Sequence, residues 1–411
     1  MSVSDRSEAE RAWQRLEALA ACTDEPGRIT RLAFSPALRE ANALVLGWMR
    51  EIGMTASIDA AGNVVGRYEG ETVDAPAIML GSHLDTVTDG GRYDGPLGVI
   101  AGLAVVERLA AASRRLPVAI EIVGFADEEG TRFGGSVLGS MAMADVVPPD
   151  WMARVDIDGV SAATATSLFG LDPARVSEAS RRDKPPLAYI ELHIEQGPLL
   201  EARDIALGCV TGIAGAVRAK VTVSGKAGHA GTVPMAMRAD ALAAASECIL
   251  AVEKIASQFD CVGTVGQIGC HPNATNVIAG SVTFSVDIRS LDDASKAASF
   301  EDLLRALASV AERRGVRVDT EVTSDTLSTL CDPRLTGIIR DVLAEIAPAV
   351  VELPSGAGHD GLNMAHIAPI AMIFVRCKDG LSHHPDEAIT IDDLALGIEA
   401  TFATSMRVAA G

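Results

Sequence analysis

Ala77-Ile-Met-Leu-Gly-Ser-His83 is a short apolar run that ends on polar residues. Val118-Ala-Ile-Glu-Ile-Val-Gly-Phe-Ala126 is a second, and it ends at Asp127-Glu128-Glu129-Gly130. Between them, residues 97–112 are apolar and rich in alanine, as a helix packed between strands would be. Strand, helix, strand is the unit of an α/β sheet, where polar residues collect at the carboxyl ends of the strands. Upstream, the segment up to about Met54 reads as helices, and 36–50 has apolar residues at three/four spacing. Downstream, 187–195 alternates and reads as one more strand.

From about Gly212 the texture changes. Residues 217–225 alternate strictly, as a half-exposed antiparallel strand does. A helix is predicted over 238–256, then strands from Cys261 and over 281–289, a helix over 294–314, and an alternating stretch at 316–322. The order β-α-β-β-α-β is that of a small ferredoxin-like domain. After about Ser328 the first texture returns, with an apolar strand at 370–376. The second domain therefore reads as inserted into the first. A length of 411 residues suits two domains.

Composition narrows the function. With 48% hydrophobic and 22% charged residues the chain has material for a sizeable core. A formal net charge of -20 repels polyanions, so nucleic acid is discounted as a partner. No apolar run is long enough to span a bilayer, and the charged start lacks the apolar core of a signal peptide. The seven dispersed cysteines form no CxxC pair and suit reduced thiols in a cytoplasm.

The chemistry lies among the eight histidines and their acidic neighbours. His83, His193 and His383 each follow an apolar segment among Gly, Asp and Glu. Asp94 sits in Gly90-Gly-Arg-Tyr-Asp-Gly-Pro, a turn that would present its carboxylate at a helix start. Neutral imidazoles and carboxylates are what a borderline divalent cation takes. Asp85, two residues beyond His83, is placed to accept the other ring N–H. Each feature alone has a plain structural explanation, as turn chemistry or a solvated acidic loop. Their recurrence on one α/β pattern favours a metal site. The residues by themselves do not choose between Glu128 and Glu129, or between His383 and His384.

These stretches carry a resemblance. GSHLDTVTDGGRYDGPLGV from Gly81, DEEGTRFGGSVLGS from Asp127, ELHIEQGPLLE from Glu191, GKAGHAGTVPMAMRAD from Gly225, PNATNVIAG from Pro272, PSGAGHDG from Pro354 and GLSHHPDE from Gly380 run in one order along the chain. The chain resembles the metal-dependent amidohydrolases related to aminoacylases and carboxypeptidases. It is most similar to the branch of N-carbamoyl-L-amino-acid hydrolases, β-ureidopropionases and allantoate amidohydrolases. Gly228 and Gly361 stand where asparagine and alanine are commoner in that branch.

The resemblance implies a metallopeptidase-like catalytic domain, 1–211 and 329–411, with a central mixed sheet and helices on both faces. It implies that 212–328 is an inserted ferredoxin-like dimerisation and lid domain. Two divalent ions, zinc or else manganese or cobalt, would be held by His83 and His193 and by Glu129 and His383, with Asp94 bridging. Glu128 would be the general base. His229 would stabilise the oxyanion in the partner subunit's site of a homodimer. Arg289 and Asn276 would bind the substrate carboxylate, and Gln196, Gly358 and His359 would also contact substrate. Residues 23–70 and Arg92-Tyr-Asp-Gly look most like allantoate amidohydrolases, with N-carbamoyl-L-amino-acid hydrolase as the alternative. A dipeptidase or deacylase fits His193-Ile-Glu-Gln-Gly-Pro less well, and a dead scaffold would be expected to have lost a ligand or the base.

Overall fold

The computed structural model describes residues 3–135, 137–347 and 349–411. Ser136, within the Asp127 motif, lies outside the described residues. The chain divides into two compact units, Met1–Gly212 with Leu330–Gly411, and Ile213–Thr329. Among the described residues no helix is long and apolar enough to cross a membrane.

The larger unit is built on a nine-stranded mixed sheet. Its centre is four neighbouring parallel strands, in the order Ala119–Phe125, Ala77–His83, Ala188–Ile194 and Ile370–Val375. All four are buried throughout, as parallel strands covered on both faces are. Antiparallel strands flank them, with Val64–Tyr68 on Ala119–Phe125 and Leu207–Ile213 on Ile370–Val375. The helix between the first two strands runs Pro96–Ala111.

The alternation read at 187–195 has a different meaning from half-exposure. Ala188, Ile190, Leu192 and Ile194 belong to the apolar core with the helices Pro96–Ala111 and Ile391–Ala410. Tyr189, Glu191 and His193 point the other way and are also buried. Ser82 Oγ donates to Glu191 Oε1 at 2.6 Å, and the Tyr189 hydroxyl donates to Glu191 Oε2 at 3.0 Å. One face of this strand is thus hydrocarbon packing and the other a buried polar wall, which satisfies its carboxylate internally. The short helix Gly361–Met364 packs against this strand and against Ile370–Val375.

The smaller unit has the antiparallel order Ile268–His271, Ser281–Ser290, Gly215–Ser224, Arg317–Thr326. The helices Ala241–Gln258 and Asp293–Arg314 pack on each other and cover one face. Here alternation does mean half-exposure: Val217, Ala219, Val221 and Val223 are core, and Arg218 and Lys220 are exposed. The first helix starts at Ala241, three residues later than its composition predicts. Asp240 accepts the N–H groups of Leu242 and Ala243, and this cap fixes the start.

Candidate active site

The polar residues of interest in the larger unit lie where the parallel strands end. His83 closes one strand, and Asp127-Glu128-Glu129 follows the next. His193 is the penultimate residue of the third. The turn after His83 delivers Asp94 just ahead of the helix Pro96–Ala111, with Gly95 between them at φ +84°. A side chain at Gly95 would stand 2.5 Å from the His83 ring, so only glycine lets the turn approach it.

Asp94 is the hub. His83 Nε2 is 3.3 Å and His193 Nε2 3.1 Å from its Oδ1, and His383 Nε2 is 3.4 Å from its Oδ2. His383 Nε2 also lies 3.5 Å from Glu129 Oε2. His83, Asp94 and His193 form one group able to hold a metal ion, and Asp94, Glu129 and His383 form another. Asp94 belongs to both. Glu128 gathers with His83 and Glu129 in a further such group. Of the two neighbouring glutamates, Glu129 is the one grouped with Asp94 and His383. Geometry also separates the histidines, since His384 instead accepts the Asp386 N–H at its Nδ1, at 3.1 Å.

The donor set fits divalent cations. The His83 Nδ1 is 3.0 Å from the Asp85 carbonyl oxygen, and the His193 Nδ1 is 2.9 Å from the Ile194 carbonyl oxygen. A carbonyl can only accept, so each Nδ1 donates and each Nε2 keeps its lone pair for the site. The His193 Nε2 is buried beside Asp94 and makes no hydrogen bond. A buried lone pair aimed at a carboxylate is unfavourable unless something positive stands between them.

Electrostatics agree. Burial alone would raise Asp94, yet the surrounding His193, His383 and His83 rings hold it well below the usual carboxylate range. Burial would depress His83, but Asp85 and Asp94 raise it well above an ordinary imidazole. His383 is raised to about 9, chiefly by its hydrogen bond with Asp94. Burial, then the charge of Asp94, pushes Glu129 up to about 7. Burial raises Glu128 well above an ordinary carboxyl.

Other expected residues are placed differently. The Asp85 carboxylate is 3.6 Å from the His83 ring nitrogen and instead accepts the backbone N–H groups of Glu128 and Glu129, at 3.0 and 3.1 Å. It is the Asp85 carbonyl that orients His83, while its carboxylate fixes the acidic loop. Gln196 Nε2 donates to Asp94 Oδ2 at 2.8 Å. His359 is 1% exposed, its Nε2 is 2.8 Å from Ser355 Oγ, and its ring packs edge-on against His193 with centroids 4.5 Å apart. His359 packs against His193, and Gly358 beside it is exposed. Glu191, His193 and His359 also come together, but Ser82, Tyr189 and Ser355 already engage the first and third.

In the smaller unit, His229 and Asn276 are exposed neighbours on a two-stranded ribbon, where the Ala230 N–H donates to the Asn276 carbonyl at 3.0 Å. The Gly231 N–H donates to His229 Nδ1 at 3.0 Å. Arg289 forms a two-pronged ion pair with Asp287 on its own strand, at 2.8 and 3.0 Å.

The sequence reading did not single out Ser382 and Glu387. Ser382 Oγ donates to Asp94 Oδ2 at 2.5 Å, and Glu387 Oε1 accepts the N–H groups of Tyr93 and Asp94 at 2.8 and 3.1 Å. Both stand in the quoted Gly380 motif, but only chain folding brings that motif to Asp94.

Buried imidazoles and carboxylates at the carboxyl ends of a mostly parallel sheet, sharing one central carboxylate, define a metal-dependent hydrolase. Residues 79–407 match the model of peptidase family M20/M25/M40, and the chain belongs to that family. It is 42% identical to an N-carbamoyl-L-amino acid amidohydrolase of Geobacillus stearothermophilus, over 98% of this chain and 99% of the relative. It is 36% identical to an allantoate deiminase of Arabidopsis thaliana, over 93% of this chain and 79% of that one. The fold matches a crystal structure of a hydantoinase/carbamoylase family amidase from Burkholderia multivorans with a TM-score of 0.92, at 33% identity and 98% coverage of both chains. The chain is an amidohydrolase.

Proposed function

We propose that this amidohydrolase cleaves the ureido carbon–nitrogen bond of allantoate, releasing ammonia and carbon dioxide. The observation that carries the reading is the convergence of His83, His193, Glu129 and His383 on Asp94 beside the buried Glu128. His83 and His193 would hold one divalent cation and Glu129 and His383 the other, with Asp94 shared between the two groups. Zinc suits these ligands, as do manganese and cobalt. When bound, such ions polarise the carbonyl under attack and lower the pKa of water.

Glu128 accepts a proton from the attacking water and returns it to the departing nitrogen. An oxygen–carbon bond forms, a carbon–nitrogen bond breaks, and the carbamic acid produced falls apart to ammonia and carbon dioxide. Because the Gly231 N–H occupies its Nδ1, neutral His229 carries its proton on the outward Nε2. It can therefore donate to the oxyanion. Arg289 and Asn276 take the substrate carboxylate, and Arg289 exchanges Asp287 for it. The exposed Gly358 offers its backbone to the ligand, and Gln196 reaches substrate from its place beside Asp94. The smaller unit serves as dimerisation domain and lid, with His229 acting in the partner's site of a homodimer.

Residues 23–70 and the Arg92-Tyr-Asp-Gly turn support allantoate. The 42% identity to the Geobacillus enzyme supports a second reading, an N-carbamoyl-L-amino-acid hydrolase. Steady-state ammonia release from allantoate and from several N-carbamoyl-L-amino acids, with metal content measured on the same sample, separates the two. The higher kcat/KM is expected for allantoate; the reverse order reverses the assignment. Mixing Glu128→Gln with His229→Ala subunits tests the dimer. Recovered activity in the hybrid supports action across subunits, and none refutes it.

A further inference from the structure

We propose that Glu387 is a positioning residue that locks Asp94 for metal binding, acting on the backbone of the turn that carries it. The inference rests on the reading of Asp94 as the bridging ligand.

Glu387 is 1% exposed and lies nearly 300 residues from Asp94 in sequence, yet its Oε1 accepts two consecutive N–H groups of the Asp94 turn, those of Tyr93 and Asp94. Its Oε2 is 3.2 Å from Ser382 Oγ, the hydroxyl that donates to Asp94 Oδ2. The carboxylate thus holds the backbone of the hub residue, while the single Ser382 proton goes to the Asp94 side chain. Space is made for it by Gly91, where a Cβ would stand 2.0 Å from the Glu387 carboxyl carbon. The second glycine of Gly90-Gly91 is therefore required by contact with Glu387, since Gly91 has no positive φ of its own.

The same residue closes the turn that carries His383. The Glu387 N–H donates to the His384 carbonyl at 3.0 Å, and Ser382 is tied to Asp94. Between these ties His383 adopts φ +56°, in the left-handed region that L side chains seldom enter. Such a conformation persists where its surroundings over-determine it. Partners that orient metal ligands in this way typically change metal affinity by about 10–100-fold when removed.

The test measures zinc affinity by competing the metal-free protein against a chromophoric chelator, alongside the melting temperature of the metal-free form. Glu387→Ala, which removes both acceptors, and Gly91→Ala, which keeps them but displaces them, are expected to weaken zinc binding by about 10–100-fold. Glu387→Gln keeps an acceptor for the two N–H groups and should recover most of that loss. Glu387→Asp, a small change that draws the carboxylate back from the two N–H groups, should weaken zinc measurably without unfolding the chain. It decides the matter if the other two variants fail to fold. A purely structural role would lower the melting temperature and leave zinc affinity at the parental value in every folded variant, which overturns the proposal. Asp94→Ala separates the two claims. If the parental protein binds no zinc tightly, or Asp94→Ala leaves zinc binding unchanged, the reading of the site fails. If Asp94→Ala weakens zinc while the Glu387 and Gly91 variants do not, only the present proposal fails.

Discussion

Gly95→Ala perturbs the site through one methyl group. At φ +84° an alanine is strained by roughly 1–2 kcal/mol. The added Cβ would also lie 2.5 Å from both Nδ1 and Cε1 of His83 and 2.7 Å from its Cγ. That ring is rigid and buried, so it must tilt or the turn must back away, a change that costs about 1–3 kcal/mol in packed interiors. The sum is roughly 2–5 kcal/mol. At about 2–4 °C per kcal/mol for large domains, melting of the metal-free protein should fall by roughly 4–20 °C. Either response lengthens the 3.3 Å approach of His83 to Asp94, so zinc affinity should fall by about 10–100-fold as well. Differential scanning calorimetry with and without chelator, and a chelator competition, measure both quantities. A variant that melts within a degree or two of the parent and binds zinc equally well would refute the close-approach account of this glycine.

Glu128→Gln should lower kcat by about 10²–10⁴-fold with zinc content unchanged, measured by ammonia release and metal analysis; undiminished turnover would remove Glu128 from the mechanism. In the metal-free protein the folded state raises His383 from 6.5 to about 9, so it binds this proton more tightly than the unfolded chain does. The resulting stability is full below about pH 6.5 and is lost as pH rises through about 9. Glu129, raised from 4.5 to about 7, has the same sign over its lower window. Melting temperatures of chelator-treated protein should therefore decline across these windows, and a flat or rising profile contradicts the Asp94–His383 pairing. Burial pushes Cys209 and Cys331 up to about 12 and Cys248 and Cys377 up to about 11. Iodoacetamide at pH 8 should leave all four unmodified in the native protein and alkylate them after denaturation, as read by mass spectrometry.

Much of this protein is written locally. The apolar runs at Ala77–His83 and Ala119–Phe125, and the strict alternation within Gly215–Ser224, declare their strands because a side chain's period reports which surface it meets. The histidine and carboxylate types, and their places after apolar strands, point to a metal site because few other uses want neutral imidazoles and carboxylates together. Tertiary structure alone decided the rest. No local pattern shows that His383 and Glu129 come together with Asp94, which is far from both in sequence, while His384 turns to the Asp386 N–H. The alternation over 187–195 fits water or a buried polar wall equally well until Ser82 and Tyr189 are seen to satisfy Glu191. The Asp85 carboxylate holds the Glu128 and Glu129 N–H groups because a carboxylate takes whichever partners the packed chain brings near. Glycine supplies the last contrast. The sequence shows that Gly91 and Gly95 sit in a turn, but only the packed chain reveals that Glu387 and His83 occupy the space where their side chains would be.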